Sequence, residues 1–244
     1  MNNNKLNAEL LKDMISLERE PVGVKFFKPG EKLPEGQYEN QRKMRYCQAL
    51  MEASWGNNII LSLDNTACAA AYAAFGFREL HPKLASGEAH FNVGTFGSEE
   101  AAKKDMVEMP RLPLGEYNHV VLAPLATIAD FVPDVVVIEA EMEQLMWIGL
   151  AYVYETGERM QFTTSVVQAT CVDATVVPFL SNKINATLGC TGSREASDIK
   201  PTEGVIGIPF TQLETVVRNL NQLSEKVIPK NRSKLVYERY KDRK

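Results

Sequence analysis

The chain has 244 residues, 45 per cent of them apolar, enough to bury a substantial core as one large domain or two small ones. Its net charge of −4 and isoelectric point near 5.6 count against a nucleic-acid binder, which usually carries a basic face. No run is apolar over the length that crosses a bilayer, and MNNNKLNAELLKDMISLERE at the start lacks the apolar stretch of a signal peptide, so a cytosolic protein without a membrane partner is expected.

In chain order, residues 6–17 read as a helix with Leu6, Leu10, Leu11, Met14 and Ile15 on one side, ended by Pro21 ahead of a strand at 22–27. PGEKLPEGQYEN is a loop, 41–54 a helix, 59–63 a short buried strand and 67–74 a small alanine-rich helix closed by Gly76. A strand is expected at 89–96, then a helix capped by Ser98 with Glu99 and Glu100 in its first turn, at the positive end of its dipole. Residues 119–125 and 135–138 are near-continuous apolar runs, the pattern of strands covered on both faces, and they suggest a mixed or largely parallel sheet. Met142, Leu145, Met146, Gly149, Tyr152 and Val153 recur at helical spacing and are assigned to the core; a strand at 160–164 follows. A strand at 205–209 leads to Thr211 and Glu214, spaced as a capping box. The tail from 230 to 244 is basic, a solvated helix or a contact for an acidic partner. No flexible linker divides the chain, so a single α/β or α+β domain over 1–244 is expected, its mixed sheet flanked by helices.

Four cysteines carry the chemistry. Twenty residues separate Cys47 from Cys68 and eighteen separate Cys171 from Cys190, and each pair spans an apolar segment and an Asn-bearing, strand-like run. That repeat suggests a pseudo-duplication whose halves bring four thiols to one place. A tetrahedral set of sulfurs accepts an iron-sulfur cluster or zinc. Cysteine is also a frequent buried residue, and in a reducing compartment it serves packing, metal or redox chemistry rather than disulfides. Cys190 lies between Gly189 and Gly192, an unusual setting for a core thiol. A compact CxxC knuckle is absent, as are a phosphate loop, GxGxxG after a strand, HExxH and GxSxG. His81, His90 and His119 read as structural or exposed, although a Cys-His pair is not barred by distance in sequence.

PVGVKFF, RYCQAL, ACAAAYAAFGF, PDVVVIEAEMEQLM, ATCVDA, GCTGSRE and GVIGIPF together span nearly the whole chain. In these segments it resembles the prokaryotic family called domain of unknown function 169. The resemblance implies that Cys47, Cys68, Cys171 and Cys190 are the family's cysteines and that Arg45, Gln48 and Arg194 accompany them. Ala69, Ala70 and Ala71 stand where relatives tend to place glycine, which allows a helix to start at Cys68. The family's reaction is unassigned.

Arg45 and Arg194 are assigned to binding, because a guanidinium offsets the charge of an anionic cluster or forks onto a carboxylate or phosphate. Asp173 would orient an arginine, carry a proton or start a helix. The leading expectation is a four-cysteine iron-sulfur protein, of the 4Fe-4S type, in a redox, electron-transfer or sensing role with a redox partner. A cysteine-dependent enzyme acting on a small anionic ligand and a zinc-stabilised binding module are the alternatives. The pseudo-symmetric body also suggests a homo-oligomer.

Overall fold

Valine, isoleucine and phenylalanine dominate the strands, and the pleat sends alternate side chains to opposite faces. In β1 (Val22–Phe27), Val22, Val24 and Phe26 face one core, and in β4 (Val135–Glu141) Val136 and Ile138 face another while Val135 and Val137 join the first. The structure, a computed structural model, describes residues 3–242. Its sheet has six strands, completed by β2 (Ile59–Ser62), β3 (His119–Pro124), β5 (Asn185–Thr187) and β6 (Glu203–Pro209), in the order β2-β3-β1-β4-β6-β5.

Every strand pairing in that sheet is antiparallel, including Val24 opposite Val135 at its centre, so the mixed or largely parallel sheet suggested by the apolar runs is not what forms. The runs arise from burial on both faces, whatever the strand direction. The strand order is symmetric: exchanging β1 with β4, β2 with β5 and β3 with β6 reverses it onto itself. The pseudo-duplication read from the cysteine spacing is thus matched in the topology, with β2 and β5 as the two edges.

One face packs on α1 (Asn3–Ile15), α7 (Met142–Val153) and the long α10 (Phe210–Arg232), through Leu11, Ile15, Trp147, Ile148, Leu213, Val216 and Leu220. The opposite face carries α2 (Tyr46–Ser54), α3 (Ala69–Ala74), α6 (Glu99–Glu108) and a π-helix at Ala169–Val176, with Phe75 at its centre, edge to face on Tyr46 and tilted against Phe26. Between α3 and α6 run α4 (Pro82–Ala85) and α5 (Glu88–Asn92); the latter replaces the strand expected at 89–96. Gly87 starts α5 at a φ of 87°, a conformation glycine adopts freely, and a local turn there outcompetes the short apolar pattern. Ser98 caps α6 as expected, accepting from the Ala101 amide.

Further corrections concern the second half. Residues 160–164 form no strand, because β5 is the sheet edge and the Thr163 amide is taken by the Asn185 side chain instead. Met142 and Met146 are 45 and 49 per cent exposed rather than core, since α7 buries its Trp147, Ile148 and Ala151 side against the sheet and α10. The helix after β6 begins at Phe210, ahead of the Thr211 box. Beyond the π-helix lie α8 (Val177–Ser181), α9 (Thr191–Ala196) and α11 (Leu235–Lys241). The basic tail begins in the last turn of α10 and continues as α11, whose side chains are all exposed, and its Arg243 and Lys244 lie outside the described residues. No helix among the described residues is long and apolar enough to cross a membrane.

Candidate functional site: a four-cysteine cavity

The halves of the sheet repeat one local pattern. In each, a helix bearing a cysteine near its start precedes an edge strand, and after that strand a second cysteine caps a short helix. Cys47 is the second residue of α2 and Cys68 the N-cap of α3; Cys171 is the third residue of the π-helix and Cys190 the N-cap of α9. All four line one cavity of about 100 Å³, together with Arg45, Thr170 and Gly192. It lies on the α2 side of the sheet, with Cys47 and Cys171 buried and Cys68 and Cys190 at its partly exposed rim. Among the described residues no three His, Cys, Asp or Glu side chains are gathered as a site for one metal ion.

Backbone amides of two of these first turns reach the sulfurs, Gln48 toward Cys47 and Ser193 toward Cys190. The Ser193 amide donates to Cys190 Sγ at 3.3 Å, while the Cys190 amide donates to Ser193 Oγ at 3.0 Å, a capping box with a thiol in the cap position. Burial, with Cys190 and Cys68 nearby, pushes the Cys47 thiol up to about 12, against the opposing pull of the Gln48 amide and Arg45. Cys171 is also raised, by burial first and then by the other three cysteines and Asp173. Its thiol donates to the Gln168 carbonyl at 3.6 Å. Without a positive centre among them, these two sulfurs stay protonated.

The π-helix sets Cys171. Its wide turn is held by the Thr175 hydroxyl, which bonds the Thr170 carbonyl at 2.9 Å and Tyr46 Oη at 2.9 Å, joining it to α2. Thr170 Oγ1, also buried, has no hydrogen-bond partner and belongs to a cavity-lining residue. Asp173 is buried and accepts from Thr164 Oγ1 at 2.6 Å and Thr187 Oγ1 at 3.1 Å; burial raises its carboxyl to about 6. It tethers the π-helix to β5 and holds neither arginine among its hydrogen-bond partners.

The companion residues divide. Arg45 lines the cavity and bridges α2 to α9 by Nη1 contacts to the Gly192 carbonyl at 3.3 Å and Glu195 at 3.4 Å. Gln48 is spent on the cap of α2, where Oε1 accepts the Arg45 amide at 2.9 Å. Arg194 binds the Leu188, Lys200 and Glu203 carbonyls and so braces the loop that carries Cys190, without lining the cavity. His81, His90 and His119 are likewise absent from the lining. Sequence reasoning missed Thr170, whose only signal was its place beside Cys171.

It also missed a buried ion cluster. Arg19 donates to Glu139 at 3.1 Å and to Glu203 at 2.9 Å, all three side chains being almost fully enclosed. Glu139 shares the face of β4 that carries Val135 and Val137, the cysteine side of the sheet. The signal was a glutamate inside the apolar run VVVIEAE.

The sequence profile of the uncharacterised ArCR family, domain of unknown function 169, matches residues 10–219, which include all four cysteines. The chain belongs to this family. An uncharacterised protein of Methanocaldococcus jannaschii is similar to it, 32 per cent identical over 221 residues that cover 90 per cent of this chain and 94 per cent of the relative. No solved structure matches. The domain of unknown function 169 thus contains the whole six-stranded sheet and the cavity, while α11 lies beyond the matched residues.

Proposed function

We propose that the cavity holds an iron-sulfur cluster of the 4Fe-4S type and that the protein transfers electrons or senses redox state. The observation that carries this reading is the meeting of four cysteines, from both halves of a pseudo-symmetric chain, around one space. A single tetrahedral ion would draw its sulfurs to about 3.8 Å from one another, from bonds of about 2.3 Å. No such group of three is gathered among the described residues, and a cluster, whose iron atoms each take one cysteine, spaces its ligands more widely.

The lining suits an anionic guest. The Gln48 and Ser193 amides and the Arg45 guanidinium offset negative charge, and Thr170, whose buried hydroxyl has no partner, lines the same cavity and would donate to a sulfur acceptor there. Bound there, the cluster supplies one-electron chemistry. Cys68 and Cys190 at the rim bring it close to the surface, where a cytosolic redox partner would meet the Arg45 and Glu195 side chains. The raised Cys47 and Cys171 thiols count against a cysteine nucleophile at these two positions, because the thiolate is the reactive form.

Purification without oxygen, followed by iron, acid-labile sulfide and zinc determination, tests the reading. About four irons and four sulfides per chain, with a visible band bleached by dithionite, are expected. Cys47→Ser, Cys68→Ser, Cys171→Ser and Cys190→Ser should each lower iron content. Stoichiometric zinc without iron would replace the cluster by a zinc-stabilised module. A metal-free protein after anaerobic reconstitution would end the proposal. Sedimentation of the loaded protein tests the associated expectation of a homo-oligomer.

A further inference from the structure

Residues 158–167, which lead into the π-helix, make no backbone–backbone hydrogen bond among the described residues, and 158–164 are all exposed. Two cavities lie against this strap, one of about 530 Å³ lined by Arg159, Gln161 and Thr163 and one of about 330 Å³ lined by Phe162 and Thr164. Few buried contacts and no ladder bonds mark a segment that opens at low cost. The other half of the sheet holds its matching segment differently. Ahead of α2, the Met44 amide donates to the Asn65 carbonyl at 3.0 Å and the Met44 carbonyl accepts from the Ala67 amide at 2.8 Å, so that lead-in is laddered to the stretch before Cys68.

Side chains latch the strap instead. The Asn185 side chain bonds both the amide and the carbonyl of Thr163 at 2.8 Å, and Thr164 Oγ1 donates to Asp173 at 2.6 Å. Val166 then sits at a φ of 55°, in the left-handed region that a β-branched residue avoids. Closure therefore holds backbone strain that opening releases. Val167 lines the cysteine cavity, and it alone of the lining residues neither lies in a helix nor caps one. The next residue, Gln168, is pinned to α6 by its bond to Asp105 at 3.1 Å, so the strap can swing while the π-helix stays in place.

We propose that the strap at 158–167 is a gate to the cysteine cavity, hinged at Val166 and latched by Asn185 and Asp173. Swung out, it takes Val167 from the mouth and uncovers Cys171, the buried thiol that follows in the π-helix. The inference rests on the cluster proposal only for what passes through the gate, iron and sulfide on their way to the four sulfurs.

Alkylation of the reduced, metal-free protein by iodoacetamide, with the rate at each cysteine read by peptide mass mapping, tests the gate. Cys68 and Cys190, at the partly exposed rim, need no opening and should react at the same rates in every variant. Val166→Asn puts a residue that tolerates the left-handed region at the hinge, favours closure and should slow Cys171 by roughly five-fold. Thr164→Val removes one latch bond and should speed Cys171 by roughly five-fold. In each protein the Cys171 rate should stay nearly flat in urea below the unfolding transition, as local opening requires. A Cys171 rate unmoved by either variant, or one that climbs steeply with urea from the outset, would overturn the inference. Timed iron uptake on anaerobic reconstitution, slower in Val166→Asn and faster in Thr164→Val with equal final content, is the expected companion result. No iron uptake with the alkylation shifts intact would sink the cluster proposal and leave the gate standing, whereas full uptake with Cys171 rates unmoved would sink the gate alone.

Discussion

Glu139→Gln removes the charge that the buried ion cluster accommodates least well. Glu139 and Glu203, both enclosed, share the Arg19 guanidinium with the more exposed Asp198; Glu203 also has Lys200, while Glu139 Oε1 has no hydrogen-bond partner. Burial raises the Glu139 carboxyl from 4.5 to about 7, although Arg19 pulls the other way. A carboxyl raised in the folded state binds its proton more tightly there than in the unfolded chain. The stability it contributes is therefore full below pH 4.5 and is lost as pH rises through 7. About 2.5 pH units at about 1.4 kcal/mol each give about 3 kcal/mol, of which about 2.5 kcal/mol falls between pH 5 and pH 8. Urea unfolding of the metal-free protein and of Glu139→Gln across that range measures it. The stability difference, native chain minus variant, should fall by that amount, since other titrating groups cancel in the comparison. A difference independent of pH would refute the reasoning and show that Arg19 keeps Glu139 ionised throughout.

Arg19→Met leaves Glu139 enclosed and unpaired and Glu203 with Lys200 alone, so it should cost about 3–5 kcal/mol at pH 8 by urea unfolding, and less at pH 5 where Glu139 takes a proton. Gly207→Ala would place a methyl carbon 2.0 Å from the Ala174 carbonyl oxygen, pushing the π-helix off β6. Iron content on reconstitution should drop sharply in that variant, through displacement of Cys171, while the far-UV circular dichroism of the sheet persists. Thr170→Val removes an unpartnered hydroxyl and should leave the metal-free protein as stable or up to about 1 kcal/mol more so. In the loaded protein it should make the reduction potential more negative by tens of millivolts, since about 1 kcal/mol is roughly 40 mV for one electron. An unchanged potential would show that the hydroxyl does not reach the cluster.

Local patterning decided much about this protein by itself. Apolar periodicity marked α1, β1, α2, β3 and β4, because burial imposes a repeat of 3.6 or 2 on any element that packs. The Ser98 cap was legible because its partner amide is three residues away. Spacing of Cys47 and Cys68 against Cys171 and Cys190 carried the pseudo-duplication, since each pair brackets one edge strand of a sheet whose order is its own mirror. Only the tertiary structure settled strand direction, because a run such as Val135 to Ile138 records that both faces are covered and says nothing of its neighbour's sense. It alone brought Arg19 to Glu139 across 120 residues and turned Arg194 onto backbone carbonyls rather than toward thiols. It also left Met142 and Met146 bare, a choice that an all-round apolar helix leaves to whichever neighbour packs first. Local sequence encodes energies of contact within a turn or a pleat; pairings across the chain depend on which closed arrangement buries the most at least strain, and no short window contains that comparison.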